Sequence, residues 1–222
     1  MNLKDVLGRK NCIIFDLDGT LVDSAETIIL ALVSAFNKLQ IVPLMPIDRS
    51  LIGPALDKVV LELLPEESRH LLHEISSSFR EVYDHSLCIQ CTLYPDIIEM
   101  LESLRNSNKL FLVTNKRSIP TKRILAHHNL DRFFEDKYSI DSFVAQGITK
   151  KDVIKYMLSE NKLNITDCIY IGDTVSDMES CSAVGMDFIF ATWGYGDLPS
   201  YSVGCREARG VLTTCSSATA LT

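Results

Sequence analysis

The sequence predicts an α/β protein: a parallel sheet covered by helices on both faces, with an all-helical block inserted after the first strand. Three observations predict it. Short apolar runs alternate with stretches whose apolar residues recur at helical spacing. Three of those runs stop at polar residues of reactive type, Asp16-Leu17-Asp18, Thr114-Asn115 and Gly172-Asp173. Between about Ser24 and Leu87 the composition suits helices and carries no strand signal.

In chain order, residues 10–16 read as a buried strand built on Cys12-Ile13-Ile14-Phe15. Ser24 is placed to cap a helix running to about Gln40, in which Ile28, Leu32, Ala35, Phe36 and Leu39 share one face. Pro43, Pro46 and the turn Ile52-Gly53-Pro54 interrupt it. Helices resume from Ala55 to about Leu87, broken at Pro65. Pro95 suits the start of a helix whose apolar stripe is Ile97, Met100, Leu101 and Leu104. A strand over 110–113, a helix over about 120–128 and a weaker strand over 138–140 follow. Val153, Ile154, Met157 and Leu158 mark a further amphipathic helix. A strand over 168–171, a helix to about Val184 and a short strand over 188–190 complete the pattern. The expected fold is a Rossmann-like, doubly wound parallel sheet. Residues 1–20 and 88–222 form its core and 21–87 an inserted helical domain. Past Trp193 the chain turns polar and turn-rich, and no element is assigned there.

The bulk numbers narrow the function classes. The 222 residues are 46% apolar and 23% charged, with a net charge of -7, which describes a soluble globular chain without the clustered cations that nucleic acid or an anionic membrane surface requires. A small anionic substrate stays possible, because local cations matter more than the total. No apolar run approaches a membrane span, and the opening residues lack the apolar middle of a leader, so a cytoplasmic location is expected. Cys88 and Cys91 form a C-x-x-C with no second pair to complete a zinc site. His70 and His73 share a helix face and read as polar surface.

The carboxylates at the strand ends carry the chemistry. Two like charges about 4 Å apart cost about 4 kcal/mol at an effective dielectric of about 20, so Asp16 and its neighbours need a cation, a proton or a function. In an open parallel sheet the carboxyl ends of the strands converge on one edge. Asp16 and Asp173 gathered there could share a hard divalent cation, and Mg2+ favours one or two carboxylates together with phosphate oxygens. A carboxylate so placed can act as nucleophile on phosphorus. Asp18, two residues on, can protonate a leaving group and then deprotonate water. Thr114 offers a hydroxyl and a backbone N–H for phosphate oxygens, and a lysine would neutralise the charge that builds.

These motifs, FDLDGTLVDS, then Val113-Thr114-Asn115, then Lys150, then IGDTVSD, resemble in content and order those of the haloacid dehalogenase superfamily. The helical insert resembles that family's small helical cap. The null alternative, that each Asp merely caps a βα turn, explains one site easily and four poorly. The resemblance implies Asp16 as the nucleophile that becomes an aspartyl-phosphate and Asp18 as general acid and base, its backbone carbonyl a metal ligand. It implies Thr114, Asn115 and Lys150 as the phosphate cradle, Asp173 as the metal-ligating acid, and Asp177 as the acid behind it that orients the metal's surroundings or the lysine. Thr20 and Asp23 sit at the hinge of the cap. The lysine is open between Lys150 and Lys151, with Lys150 better spaced to the face of Val153 and Ile154. An acid at Asp18 points to phosphoester hydrolysis or phosphomutation. Ile52-Gly53-Pro54, Thr114-Asn115-Lys116 and Trp193-Gly194-Tyr195-Gly196 resemble the phosphoglycolate phosphatase-like branch. The expectation is a Mg2+-dependent phosphatase acting on a small phosphorylated metabolite such as 2-phosphoglycolate. Gly53 would lie in its substrate loop or serve a plain turn, and Arg49 would anchor its carboxylate or sit in solvent. A β-phosphoglucomutase-like mutase and a catalytically silent binding protein on the same fold are the alternatives.

Overall fold

The computed structural model describes residues 7, 9–142, 147–197 and 206–207, the last two as backbone only. The opening residues that read as lacking a leader, and most of the tail after Gly196, lie outside them. Six strands form one parallel sheet: β1 (Cys12–Phe15), β4 (Lys109–Thr114), β5 (Asp136–Ser139), β6 (Cys168–Gly172), β7 (Asp187–Phe190) and β8 (Arg206–Glu207), in the order β5-β4-β1-β6-β7-β8. The register sets Phe15 beside Leu112 on one side and Ile171 on the other. Side chains alternate between the faces, as the two-residue period of a strand demands. Ile13, Phe15, Leu110, Leu112, Ile169 and Ile171 point into one apolar layer. Cys12, Ile14, Phe111, Val113, Cys168 and Tyr170 point into the other.

Helices cover both layers. α4 (Ile97–Arg105) and α5 (Ser118–His127) supply Ile97, Met100, Leu101, Ile124 and Leu125 to the first. α6 (Lys150–Glu160) and α7 (Val175–Ser182) supply Val153, Ile154, Met157 and Cys181 to the second. This is the doubly wound arrangement, and its strand order reverses on either side of β1. Ligands bind beyond the carboxyl ends at such a switch point, where Asp16, Thr114 and Asp173 stand.

The helical block is α1 (Ala25–Lys38), α2 (Leu56–Leu63) and α3 (Leu72–His85), joined by 3₁₀ turns at Arg49–Leu51, Glu66–Leu71 and Leu87–Gln90. The helix expected from Ala55 breaks at Pro65 and tightens into the second of these turns. α1 stops at Lys38, and Gln40 takes φ +55. The chain enters and leaves the block through β2 (Val22–Asp23) and β3 (Thr92–Leu93), an antiparallel ribbon that pairs Val22 with Leu93. Two-residue strands are too short to show a period, so neither was legible in the sequence.

Candidate active site

The turn after β1 is tight. Leu21 N–H donates to Leu17 O at 2.9 Å and Gly19 N–H to Val22 O at 2.9 Å. Gly19 has φ +77, and a Cβ there would fall 2.0 Å from Asp173 Oδ2, so only glycine lets the turn meet that carboxylate. Asp16, 3% exposed, lies at its start. Lys150 Nζ, at the first turn of α6, is 3.1 Å from Asp16 Oδ1 and also contacts Asp177 Oδ1. Lys151, next to it, is half-buried. Burial opposes the Lys150 charge, but Asp16 and Asp177 outweigh it and hold the ammonium above its ordinary range. Asp177 occupies the third position of α7 and closes a capping box, accepting from Thr174 Oγ1 at 2.6 Å.

Asp16, Asp173 and Asp177 each offer a carboxylate oxygen within 4.8 Å of the others. Burial pushes Asp16 up to about 7, with Asp177 and Asp18 adding to it and Lys150 opposing. Burial, then Asp16 and Asp177, push Asp173 up to about 8. Asp16 Oδ1 faces the Lys150 ammonium at 3.1 Å. A buried set of three carboxylates whose oxygens converge this closely is the donor chemistry of a hard divalent cation. Asp173 is held by Thr20 Oγ1 at 3.1 Å and by Tyr195 N–H at 2.8 Å, while Trp193 Nε1–H donates to Thr20 O at 3.0 Å.

Asp18 faces the other way. Lys116 Nζ lies 2.8 and 3.0 Å from its two oxygens, and Ser24 Oγ donates to Oδ1 at 2.5 Å. Ser24 therefore serves Asp18, not the N-terminus of α1, where it makes no side-chain cap. Lys116 also donates to Tyr83 OH at 2.7 Å, from α3 of the helical block. Burial disfavours its charge, yet Asp18 and Tyr83 push the ammonium above its ordinary range. Three consecutive residues after β4 thus reach the block: Asn115 Nδ2–H donates to Gly53 O at 2.9 Å, Lys116 meets Tyr83, and Arg117 makes two bonds to Asp84, at 2.8 and 2.5 Å.

Between sheet and block lies a cleft of about 630 Å³, its open mouth included. Asp16, Asp18, Thr114, Asn115 and Gly53 line it; Asp173, Asp177 and Lys150 stand behind Asp16. Of the residues expected in the site, Arg49 is the one that neither lines the cleft nor joins the cluster behind Asp16. It is capped in its turn by Asp48, its side chain is 55% exposed, and it lies 3.5 Å from Asp23. Tyr83 was not anticipated; Tyr195 was visible as part of Trp193-Gly194-Tyr195-Gly196, but its hold on Asp173 was not. Lys116 was visible as part of Thr114-Asn115-Lys116, but its hold on Asp18 was not.

The family model described as "Haloacid dehalogenase-like hydrolase" matches residues 13–191. The chain is similar to a phosphoglycolate phosphatase of Aquifex aeolicus, 31% identical with 85% of this chain and 87% of the relative covered. It is similar to a 5'-nucleotidase of Pseudomonas aeruginosa, 27% identical over 87% and 88%. A hydrolase of the haloacid dehalogenase-like family from Streptococcus pneumoniae superposes with a TM-score of 0.81 at 27% identity, over 94% of this chain and 98% of that one.

Proposed function

The chain belongs to the haloacid dehalogenase-like hydrolase family and is a hydrolase of phosphomonoesters; from that premise we propose that it is a Mg2+-dependent phosphatase working through an aspartyl-phosphate on Asp16. The observation that carries the proposal is the convergence of Asp16, Lys150, Asp173 and Asp177 in one buried cluster, with Asp18 beside it at the floor of the cleft.

Asp16 and Asp173, with the Asp18 carbonyl, would hold Mg2+, whose charge lets a dianionic phosphate approach the carboxylates. An Asp16 carboxylate oxygen forms a bond to phosphorus as the ester P–O bond breaks, and Asp18 gives its proton to the departing oxygen. Asp18 then takes a proton from water as water attacks phosphorus, which frees inorganic phosphate and restores the Asp16 carboxylate. Thr114 and Asn115 border the phosphate, Lys150 balances its developing charge, and Asp177 keeps Lys150 in place. The helical block, roughly residues 21–87, acts as a cap that shields the site from water. A reducing, cytoplasmic setting suits the buried free thiols of Cys12, Cys88, Cys91, Cys168 and Cys181. The substrate is a small phosphorylated metabolite, and 2-phosphoglycolate is the reference ester that the Aquifex relative's name supplies. Its carboxylate would need a cation, and Arg49, expected in that role, stands outside the cleft.

Rapid acid quench with phosphorus-labelled substrate tests the reading. Label should appear on the wild-type protein with Mg2+ and disappear with Asp16→Asn, together with turnover. Normal turnover by Asp16→Asn would refute the nucleophile, and undiminished activity in EDTA would refute the metal. Transfer to a sugar hydroxyl with no phosphate released would replace the phosphatase by a mutase.

A further inference from the structure

We infer that this phosphatase selects an ester whose leaving group is uncharged and apolar, an aryl or longer alkyl group, over one that carries a carboxylate. The inference rests on the phosphatase reading above and names the substrate class of the same site.

The wall of the cleft facing Asp16 and Asp18 comes from the helical block. Ile28 and Leu32 of α1, Ile52 of the loop, Leu56 and Val59 of α2 and Phe79 of α3 line it. The Phe79 and Tyr83 rings stack with centroids 5.0 Å apart, which makes part of that wall aromatic. Such a surface rewards apolar contact by about fourfold in affinity per buried methylene.

The charges on the lining complete the selection. Its two cations are Lys116 and Arg117. Lys116 already meets both oxygens of Asp18 and the hydroxyl of Tyr83. Arg117 already meets both oxygens of Asp84. Arg49, exposed and beside Asp23, does not face the cleft. A leaving-group carboxylate would therefore enter an apolar wall next to the Asp18 carboxylate without an uncommitted cation among the described lining residues. Desolvating it there lowers kcat/KM by about tenfold or more. A neutral leaving group meets no such penalty.

Phosphate release by the full chain with Mg2+ tests this on matched esters: phenyl phosphate against para-carboxyphenyl phosphate, an ethyl-to-butyl phosphate series, and 2-phosphoglycolate as reference. We expect kcat/KM for the phenyl ester to exceed that for its carboxyl analogue by about tenfold or more, and to rise about fourfold per methylene along the alkyl series. Leu56→Arg, at a half-buried position of the wall, should narrow the first difference and flatten the second. Equal or better turnover of the carboxylate esters by the wild type, or a flat alkyl series, would overturn the inference and leave the phosphatase standing. No phosphate from any ester, and no acid-stable label on the protein, would overturn the phosphatase reading and this inference with it.

Discussion

Asp16 and Asp173 hold their protons into the neutral range because burial denies the charged form its water; Asp177 and Asp18 add to this at Asp16, and Asp16 and Asp177 add to it at Asp173. Their folded-state values, about 7 and about 8, lie above the ordinary 3.8. A raised acid lends stability that is complete below the unfolded value and disappears as pH climbs through the folded one. Metal-free protein should therefore lose Tm steadily from about pH 4 to about pH 8. Mg2+, if it binds the ionised acids as proposed, should restore more Tm the higher the pH. Thermal melts with and without Mg2+ check this, and Asp173→Asn should reduce the slope; a metal-free Tm that does not fall over that window would refute it. The exposed acids Asp48, Glu81 and Asp152 have lowered values from their own hydrogen bonds, and they act below that window. A second prediction concerns Lys116. Lys116→Met removes the ammonium that holds both Asp18 oxygens in position and, by freeing that side chain to turn away, should lower kcat about 10- to 100-fold on esters that need a protonated leaving group. Acid-trapped label from an activated nitrophenyl ester, whose departure needs no acid, should persist. Loss of both would assign Lys116 to folding alone. Gly19→Ala, which puts a methyl on the Asp173 carboxylate, should abolish Mg2+ binding as read by titration calorimetry.

The segment after β4 sends three successive side chains to the helical block, and Arg117–Asp84 is the pair with two hydrogen bonds. Both partners are mostly buried, 17% and 13% exposed, so removing one leaves the other poorly solvated. Arg117→Ala or Asp84→Ala should each cost about 1–3 kcal/mol, between the exposed and buried limits. The double variant should cost less than the sum, which a denaturant double-mutant cycle reads directly; strict additivity would show the pair to be uncoupled. None of this was legible in the chain. Period and strand-end chemistry disclosed β1, β4 and β6 and the polar residues at their ends, because a buried strand and its carboxyl end leave a local signature. The partners of Lys116 and Arg117 lie 33 residues earlier in α3, where Tyr83 reads as core and Asp84 as surface. Nothing in helical spacing says which distant loop a helix face will meet. Arg49 illustrates the opposite error: its place beside Gly53 suggested a substrate loop, but its own capped turn directs it toward Asp23.

At the scale of the whole molecule, the sheet order brings residues 16, 114 and 173 to one edge, and the ribbon of β2 and β3 attaches the block above them. The chain then returns to that edge once more. After β7, Trp193 reaches back to Thr20, and Tyr195 N–H donates to Asp173. The Tyr195 hydroxyl accepts from Ser24 N–H at 2.6 Å, at the point where the block begins. Gly194 fits this return only without a side chain, since a Cβ there would lie 2.2 Å from that of Asp173. All the acids and the lysine of the proposed chemistry precede Ala191, where the family match also ends. A truncation after Ala191 would therefore keep every reacting group and remove the support of Asp173 and of Thr20 and Ser24 beside it. Such a shortened protein should fold, because among the described residues the fully buried members of both layers lie at or before that point, yet bind Mg2+ more weakly and turn over slowly. Anyone choosing expression limits from motifs alone would obtain a soluble, well-behaved and nearly inactive enzyme. The working boundary of this catalyst is drawn by hydrogen bonds that arrive after its last acid has been placed.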